Sequence, residues 1–289
     1  MRKGKFFRLL MAPAAVLLLA AGCAAVPPVN DDPVAAIRGS KARLQYFFSQ
    51  MPKGADLHNH LTGSVYAETY FTIAVNEGMY LDLQTFRLYR QGDPGIPSQA
   101  IQLGPDMPNL HSIHVQCIDH WSVRNYGRFV ETLPPDEFFF ATFGIFGSAN
   151  NRVENGVTLL KELRQRAANE NVAYLEIMLT SPAVGGPVFA DAALNERLKA
   201  GIRAGDGAAF QSLLDEIWND WDTNADIQQN IAGYVRLIGE VHDAAAAAAP
   251  EIVSRYQTYC SRNNDPLRVF AQLYIGFKAC TQSPLLVGV

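Results

Sequence analysis

Two kinds of apolar run alternate along the chain. Val172–Leu179 is almost continuously apolar, interrupted by Glu176, and reads as a strand of a parallel sheet covered on both faces. Glu176 inside such a strand must be paired or face a polar interior, with a structural ion pair the favoured role. A short buried strand is predicted around Ala55–His60, running into a glycine-containing turn at Gly63. Leu267–Ile275 and Leu285–Val289 give two further strands. Between them, apolar residues recur every three or four positions, the period of a helix with one buried stripe. These predicted helices cover Val65–Glu77 (Tyr66, Tyr70, Ile73, Ala74), Arg152–Glu170 (Val153, Val157, Leu160, Leu163, Ala167), Ala208–Trp221 and Ile227–Ala249. Ala35–Gln50 is a helix leading into the first strand. Ser64 is placed to cap the helix over Val65–Glu77, Glu68 lies in its first turn and Gly78 can end it. His242 falls on a helix surface. Leu81–Pro135 is rich in Gly, Pro and polar residues and reads as an excursion, and Pro182–Asp206 as loop with some helix. Strands alternating with helices place the chain in the α/β class.

Strand alternation puts Asp56, His58 and His60 on one face and Ala55, Leu57 and Asn59 on the other. Two imidazoles on one face, at the C-terminal end of a strand, can grip one zinc ion. His111, His114, Cys117 and His120 recur every third residue. That spacing suits neither a strand face nor helix-borne ligands four apart, so these are read as surface side chains rather than a second metal site.

The run Met51-Pro-Lys-Gly-Ala-Asp-Leu-His-Asn-His-Leu-Thr-Gly-Ser64 resembles the first-strand motif of the adenosine deaminase family, closest to its exported, growth-factor-related bacterial branch. The resemblance implies a (β/α)8 TIM barrel of the metal-dependent hydrolase type, with His58 and His60 as Zn2+ ligands. It implies hydrolytic deamination of adenosine or a related aminopurine nucleoside, with water attacking C6 and ammonia leaving. Thr62 and Gly63 would meet the substrate, although Thr62 stands where nucleoside deaminases commonly carry an aspartate. Phe139, Phe140 and Phe143 resemble the helix that lids the purine pocket; Gly144 stands where many relatives carry an acidic residue. Four strands can be counted, around Ala55, Tyr174, Leu273 and Val287, against the eight of a closed barrel. The chain is therefore expected to be the first half of such a barrel. No catalytic residue can be named in it, since a His-Ala-Gly-Glu segment is absent. The alternatives are another amide or ester hydrolase of the same superfamily, or a catalytically inactive surface lipoprotein ending at Val289.

Residues 1–22 carry the features of an export signal: Arg2, Lys3, Lys5 and Arg8, then the apolar stretch Leu9–Ala21. Leu19-Ala-Ala-Gly-Cys23 resembles a bacterial lipobox, which implies lipidation of Cys23 and a periplasmic or cell-surface address on a membrane. Residues 23–34 then form a tether, and residues 35–289 the barrel portion, with the excursion at about 80–135. Beyond the anchor, Cys117, Cys260 and Cys280 are an odd set that defines no disulfide framework. A net charge of −4, without clustered Lys and Arg, excludes nucleic acid as the expected partner.

Overall fold

The computed structural model describes residues 34–127, 133–150 and 152–289. The expected signal peptide, Cys23 and nearly all of the tether lie outside the described residues. The chain divides after Met51 into two units. In the first, helix α1 (Lys41–Gln50) starts where the Ser40 hydroxyl accepts from the Arg43 amide, 3.4 Å away. It is shorter than the helix predicted from Ala35, because residues 34–39 form turns.

The second unit is mixed α/β. In chain order it comprises β1 (Gly54–His60), α2 (Leu61–Ser64), α3 (Ala67–Asn76), β2 (Tyr80–Leu81), β3 (Leu88–Tyr89), β4 (Ile101–Gln102), α4 (Leu110–Trp121) and α5 (Pro135–Ala141). There follow α6 (Val153–Asn169), β5 (Val172–Met178), α7 (Ala192–Ala204), α8 (Gly207–Thr223), α9 (Ala225–Ala246), β6 (Val253–Gln257), α10 (Pro266–Gln282) and β7 (Leu286–Gly288). Strands β1, β5, β6 and β7 form one sheet in that order, every pairing parallel. Strands β3, β2 and β4 make a small antiparallel sheet.

The two faces of the parallel sheet differ. Leu175, Ile177, Tyr256 and Leu286 are buried in one cluster with Leu160 and Leu163 of α6, Ile231 and Ile238 of α9, and Ala271 and Tyr274 of α10. On the other face Tyr174, Glu176, Met178, Arg255 and Gln257 are only half-buried. Helix α10 comes very close to the strand ends: a Cβ added at Gly276 would lie 2.7 Å from Cγ2 of Thr258. Arg164 is buried beneath the sheet. It donates to the Ser254 hydroxyl at 2.6 Å and to the Ala246 and Ala249 carbonyls at 3.3 and 2.8 Å. A cation thereby meets the carbonyls at the C-terminal end of α9, where the helix dipole favours it.

Several expectations are corrected. Leu267–Ile275 is not a strand but lies within α10. Its buried residues, Leu267, Ala271, Tyr274, Ile275 and Ala279, keep helical spacing, and Pro266 occupies the first turn, where its missing N–H costs nothing. The third strand of the sheet is Val253–Gln257, whose Ser, Arg and Gln hide it in a hydrophobicity reading. Strand β1 is largely exposed rather than buried, because it is an edge strand with β5 as its one strand neighbour among the described residues. The Leu81–Pro135 excursion holds the small sheet and the 12-residue helix α4. Pro182–Asp206 holds α7, capped by Asp191. Ser64 does not cap α3, which starts at Tyr66 without a side-chain cap. Tyr66 is exposed, while Tyr70, Ile73 and Ala74 are buried as predicted.

His242 is half-buried, not a surface residue, and its Nδ1 lies 3.0 Å from the Tyr256 hydroxyl. Burial, and then the Arg164 charge, hold its pKa below the ordinary value of 6.5. The unfolded chain therefore takes up this proton first as pH falls, and stability is lost below about pH 6.5. We expect the fall in Tm between pH 7 and 5 to be shallower in His242→Gln, measured by thermal melts at several pH values. Gly276→Ala should destabilise the protein by about 1–3 kcal/mol through its clash with Thr258. Adding Thr258→Ser, which removes the clashing methyl, should restore part of that loss in a denaturant titration.

Candidate functional site

The candidate site lies where the C-terminal ends of β1, β5 and β6 converge. Strand β1 runs parallel to β5, with Asn59 opposite Ile177 and His60 opposite Met178. The register shifts between Asp56 and Asn59, so strict alternation fails there. Asp56 accordingly does not stand with the histidines as expected. Its carboxylate accepts from the His58 amide and from Asn59 Nδ2, each at 3.1 Å. The Ser64 hydroxyl donates to the His60 carbonyl at 2.7 Å and lies 3.1 Å from Asn59 Oδ1. Asp56, Asn59 and Ser64 thus pin the turn from β1 into α2 with local polar contacts.

His58 and His60 do come together, their ring centroids 5.5 Å apart and their planes near perpendicular at 81°. Two imidazoles bound tetrahedrally to one zinc, with Zn–N of about 2.0–2.1 Å, would set their centroids roughly 5 Å apart. The pair fits as two donors to one ion. Burial, followed by the neighbouring His58, holds the pKa of His60 below 6.5. That favours the neutral imidazole, the form with a lone pair for a metal. Among the described residues no group of three or more His, Cys, Asp or Glu is placed to hold a metal.

The sheet's open face carries a polar link across three strands. Gln257 Nε2 donates to Glu176 Oε2 at 2.6 Å and to the Leu57 carbonyl at 3.2 Å. The Tyr174 hydroxyl donates to Glu176 Oε1 at 2.9 Å. Glu176 is therefore held by hydrogen bonds, not by the ion pair expected for it. Beyond the end of β6, the Tyr259 ring packs on His60 with centroids 5.6 Å apart and planes at 66°. Burial raises the Tyr259 pKa, offset in part by the Ser181 backbone amide facing its hydroxyl. Ser181 also lines a cleft of about 630 Å3 between the loop after β5 and α9, with Gly186, Phe189, Asn230, Tyr234 and Leu237.

The other predicted site residues lie as follows. Thr62 and Gly63 sit on α2, exposed, directly after His60; the Thr62 carbonyl accepts from the Tyr70 hydroxyl at 2.7 Å. Phe139, Phe140 and Phe143 form their own cluster, with centroids 5.0–5.4 Å apart. All three are more than half exposed, so they form a solvent-facing knob rather than a closed wall. His111, His114, Cys117 and His120 lie along α4. His120 stacks on Phe86 with centroids 3.6 Å apart, and His114 packs on Phe71 at 4.7 Å. Cys117 is fully buried and its thiol is pushed up to about 12 by burial, which suits packing and not metal binding. Two of these histidines are therefore packing residues, where surface positions were expected.

Tyr259 and Gln257 were missed in the sequence because β6 was not recognised as a strand. The signal was present: Ser254, Tyr256 and Thr258 alternate with Val253, Arg255 and Gln257. Once that strand is placed, Tyr259 falls at its C-terminal end, beside the histidines' strand end. Comparison with family models, with curated proteins and with solved structures finds no match to this chain.

The Gln257 link makes a claim of its own. Gln257→Leu should destabilise the fold by about 1–3 kcal/mol, since it strips a donor from the half-buried Glu176. The loss should shrink when Glu176→Gln is added. A double-mutant cycle by chemical denaturation reads both.

Proposed function

We propose that this chain is the first part of an adenosine deaminase-like, zinc-dependent hydrolase with a (β/α)8 barrel, acting on adenosine or a related aminopurine nucleoside. The observation that carries the reading is the His58–His60 pair, side by side at the C-terminal end of the first parallel strand. The four-stranded parallel sheet with one dry and one polar face is consistent with half of such a barrel. The motif from Met51 to Ser64 supplies the specificity of the reading, and the export signal with Cys23 would place the enzyme on a membrane outside the cytoplasm.

In this proposal His58 and His60 hold Zn2+ through their imidazoles, and the remaining ligands lie outside the described residues. Bound zinc supplies activation of water as a nucleophile near neutral pH. Leu61–Ser64, turning directly after His60, brings Thr62 and Gly63 to the edge of the site. The carboxylate of Glu176, tied to Tyr174 and Gln257, keeps β1, β5 and β6 in register beneath it. Phe139, Phe140 and Phe143 give flat apolar surface of the kind a purine stacks on, and their exposure leaves them free to close over a bound base.

The test is zinc content together with ammonia release from adenosine by the complete gene product. His58→Ala should lower zinc occupancy and deamination together; activity lost with zinc fully retained would remove His58 from the ligand set. Phe143→Ala should raise KM several-fold with kcat within about two-fold, the pattern of lost binding common to ground and transition states. A product that binds no zinc and releases no ammonia from any aminopurine overturns the reading.

A further inference from the structure

We propose that Tyr259 is the positioning residue for His60, its ring fixing the orientation of the imidazole in place of the hydrogen bond that ordinarily does so. The functional consequence rests on the reading of His60 as a metal ligand; the positioning itself does not.

Metal-binding imidazoles almost always donate their second ring N–H to a carbonyl or carboxylate, which sets the ring's rotation. Among the described residues no such bond is made by His60. Its ring contacts are with His58 and with Tyr259. His58 belongs to the same exposed edge strand and gives no independent support. Tyr259 comes from beyond β6, on the far side of β5 in the sheet order. It reaches past the end of β5 to touch the last residue of β1.

Tyr259 is itself well anchored. The preceding residue, Thr258, is fully buried against Gly276 of α10, and its amide donates to the Gly288 carbonyl at 2.9 Å. A ring whose backbone is fixed in the sheet's interior therefore packs on a histidine of a strand with no buried residue. The edge-on contact, with planes at 66°, is of the kind aromatic pairs prefer, and it restricts rotation of the imidazole.

The experiment uses the 289-residue chain with 15N-labelled histidine imidazoles, observed by NMR without metal, the His60 signals being identified by their loss in His60→Gln. Zn2+ affinity is measured on the same samples. Tyr259→Phe keeps the ring and should leave the His60 signals and zinc affinity unchanged. Tyr259→Leu and Tyr259→Ala should shift the His60 signals and weaken Zn2+ binding by about 10-fold or more. The His242 signals report on the core beneath the sheet and should stay in place. Tyr259→Leu preserves bulk should the alanine variant not fold. His60 signals unchanged on loss of the ring overturn the proposal. So does a Phe variant as perturbed as Ala, or a disturbance of His242 equal to that of His60, which would make Tyr259 ordinary core. If the wild-type chain binds no zinc but its His60 signals still move on loss of the ring, the positioning role stands, and the metal reading is decided by zinc content of the complete gene product.

Discussion

Parallel strands reach one another only through helical crossovers, so β5, β6 and β7 stand side by side only while α6, α9 and α10 keep one face of the sheet dry. That face carries Leu175, Ile177, Tyr256 and Leu286. Two features let the helices come close enough. Gly276 removes the side chain that would collide with Thr258. Arg164 satisfies two carbonyls near the end of α9 while holding Ser254 of β6, so one buried guanidinium joins α6, α9 and the sheet. A buried cation is costly unless every neighbour answers it. Here the two Nη groups are answered, largely by backbone oxygens that the end of α9 leaves without helical partners, while the buried Nε has no hydrogen-bond partner among the described residues.

Because the packing demand falls on one face, the other is free to be polar. Glu176, Gln257 and Tyr174 lie there half-buried, and their hydrogen bonds tie three strands without needing a core. The histidines stand at the end of the strand that packing constrains least. What holds them is local: the Asp56–Asn59–Ser64 contacts beneath the turn, and an aromatic ring delivered from a better-anchored strand. Strength of packing and placement of reactive groups are thus assigned to different parts of the sheet.

The sequence made much of this legible, and the failures have physical reasons. Strand β5 and helices α6, α8 and α9 were readable because their apolar periodicity is long or unbroken, and β1 from its paired histidines and the glycine-containing turn that follows. The His58–His60 pair was readable because strand geometry alone puts alternate residues together. Strand β6 was not, since three of its five residues (Val253, Arg255 and Gln257) lie on the less buried side and its Ser254 is buried to meet Arg164 rather than for its own hydrophobicity. Helix α10 was mistaken for a strand because nearly all of Leu267–Ile275 is apolar or aromatic, and in a short window density conceals period. The register shift at Asp56 and the packing roles of His114, His120 and His242 depend on neighbours far along the chain, which no local pattern records.

The pairing of β1 with β5 also bears on the order in which the protein assembles. Ala55 meets Tyr174 only after everything between them has been looped out or folded. Closing a loop that long carries an entropic penalty, though one that grows only logarithmically with length. The intervening stretch reduces it by closing on itself: Trp121 Nε1 donates to the Phe86 carbonyl at 2.8 Å, and Phe146 stacks on Tyr70 at 4.4 Å. That stretch can become a compact body before the first strand docks. The two histidines near the beginning of the described chain would then be among the last groups to reach their final places.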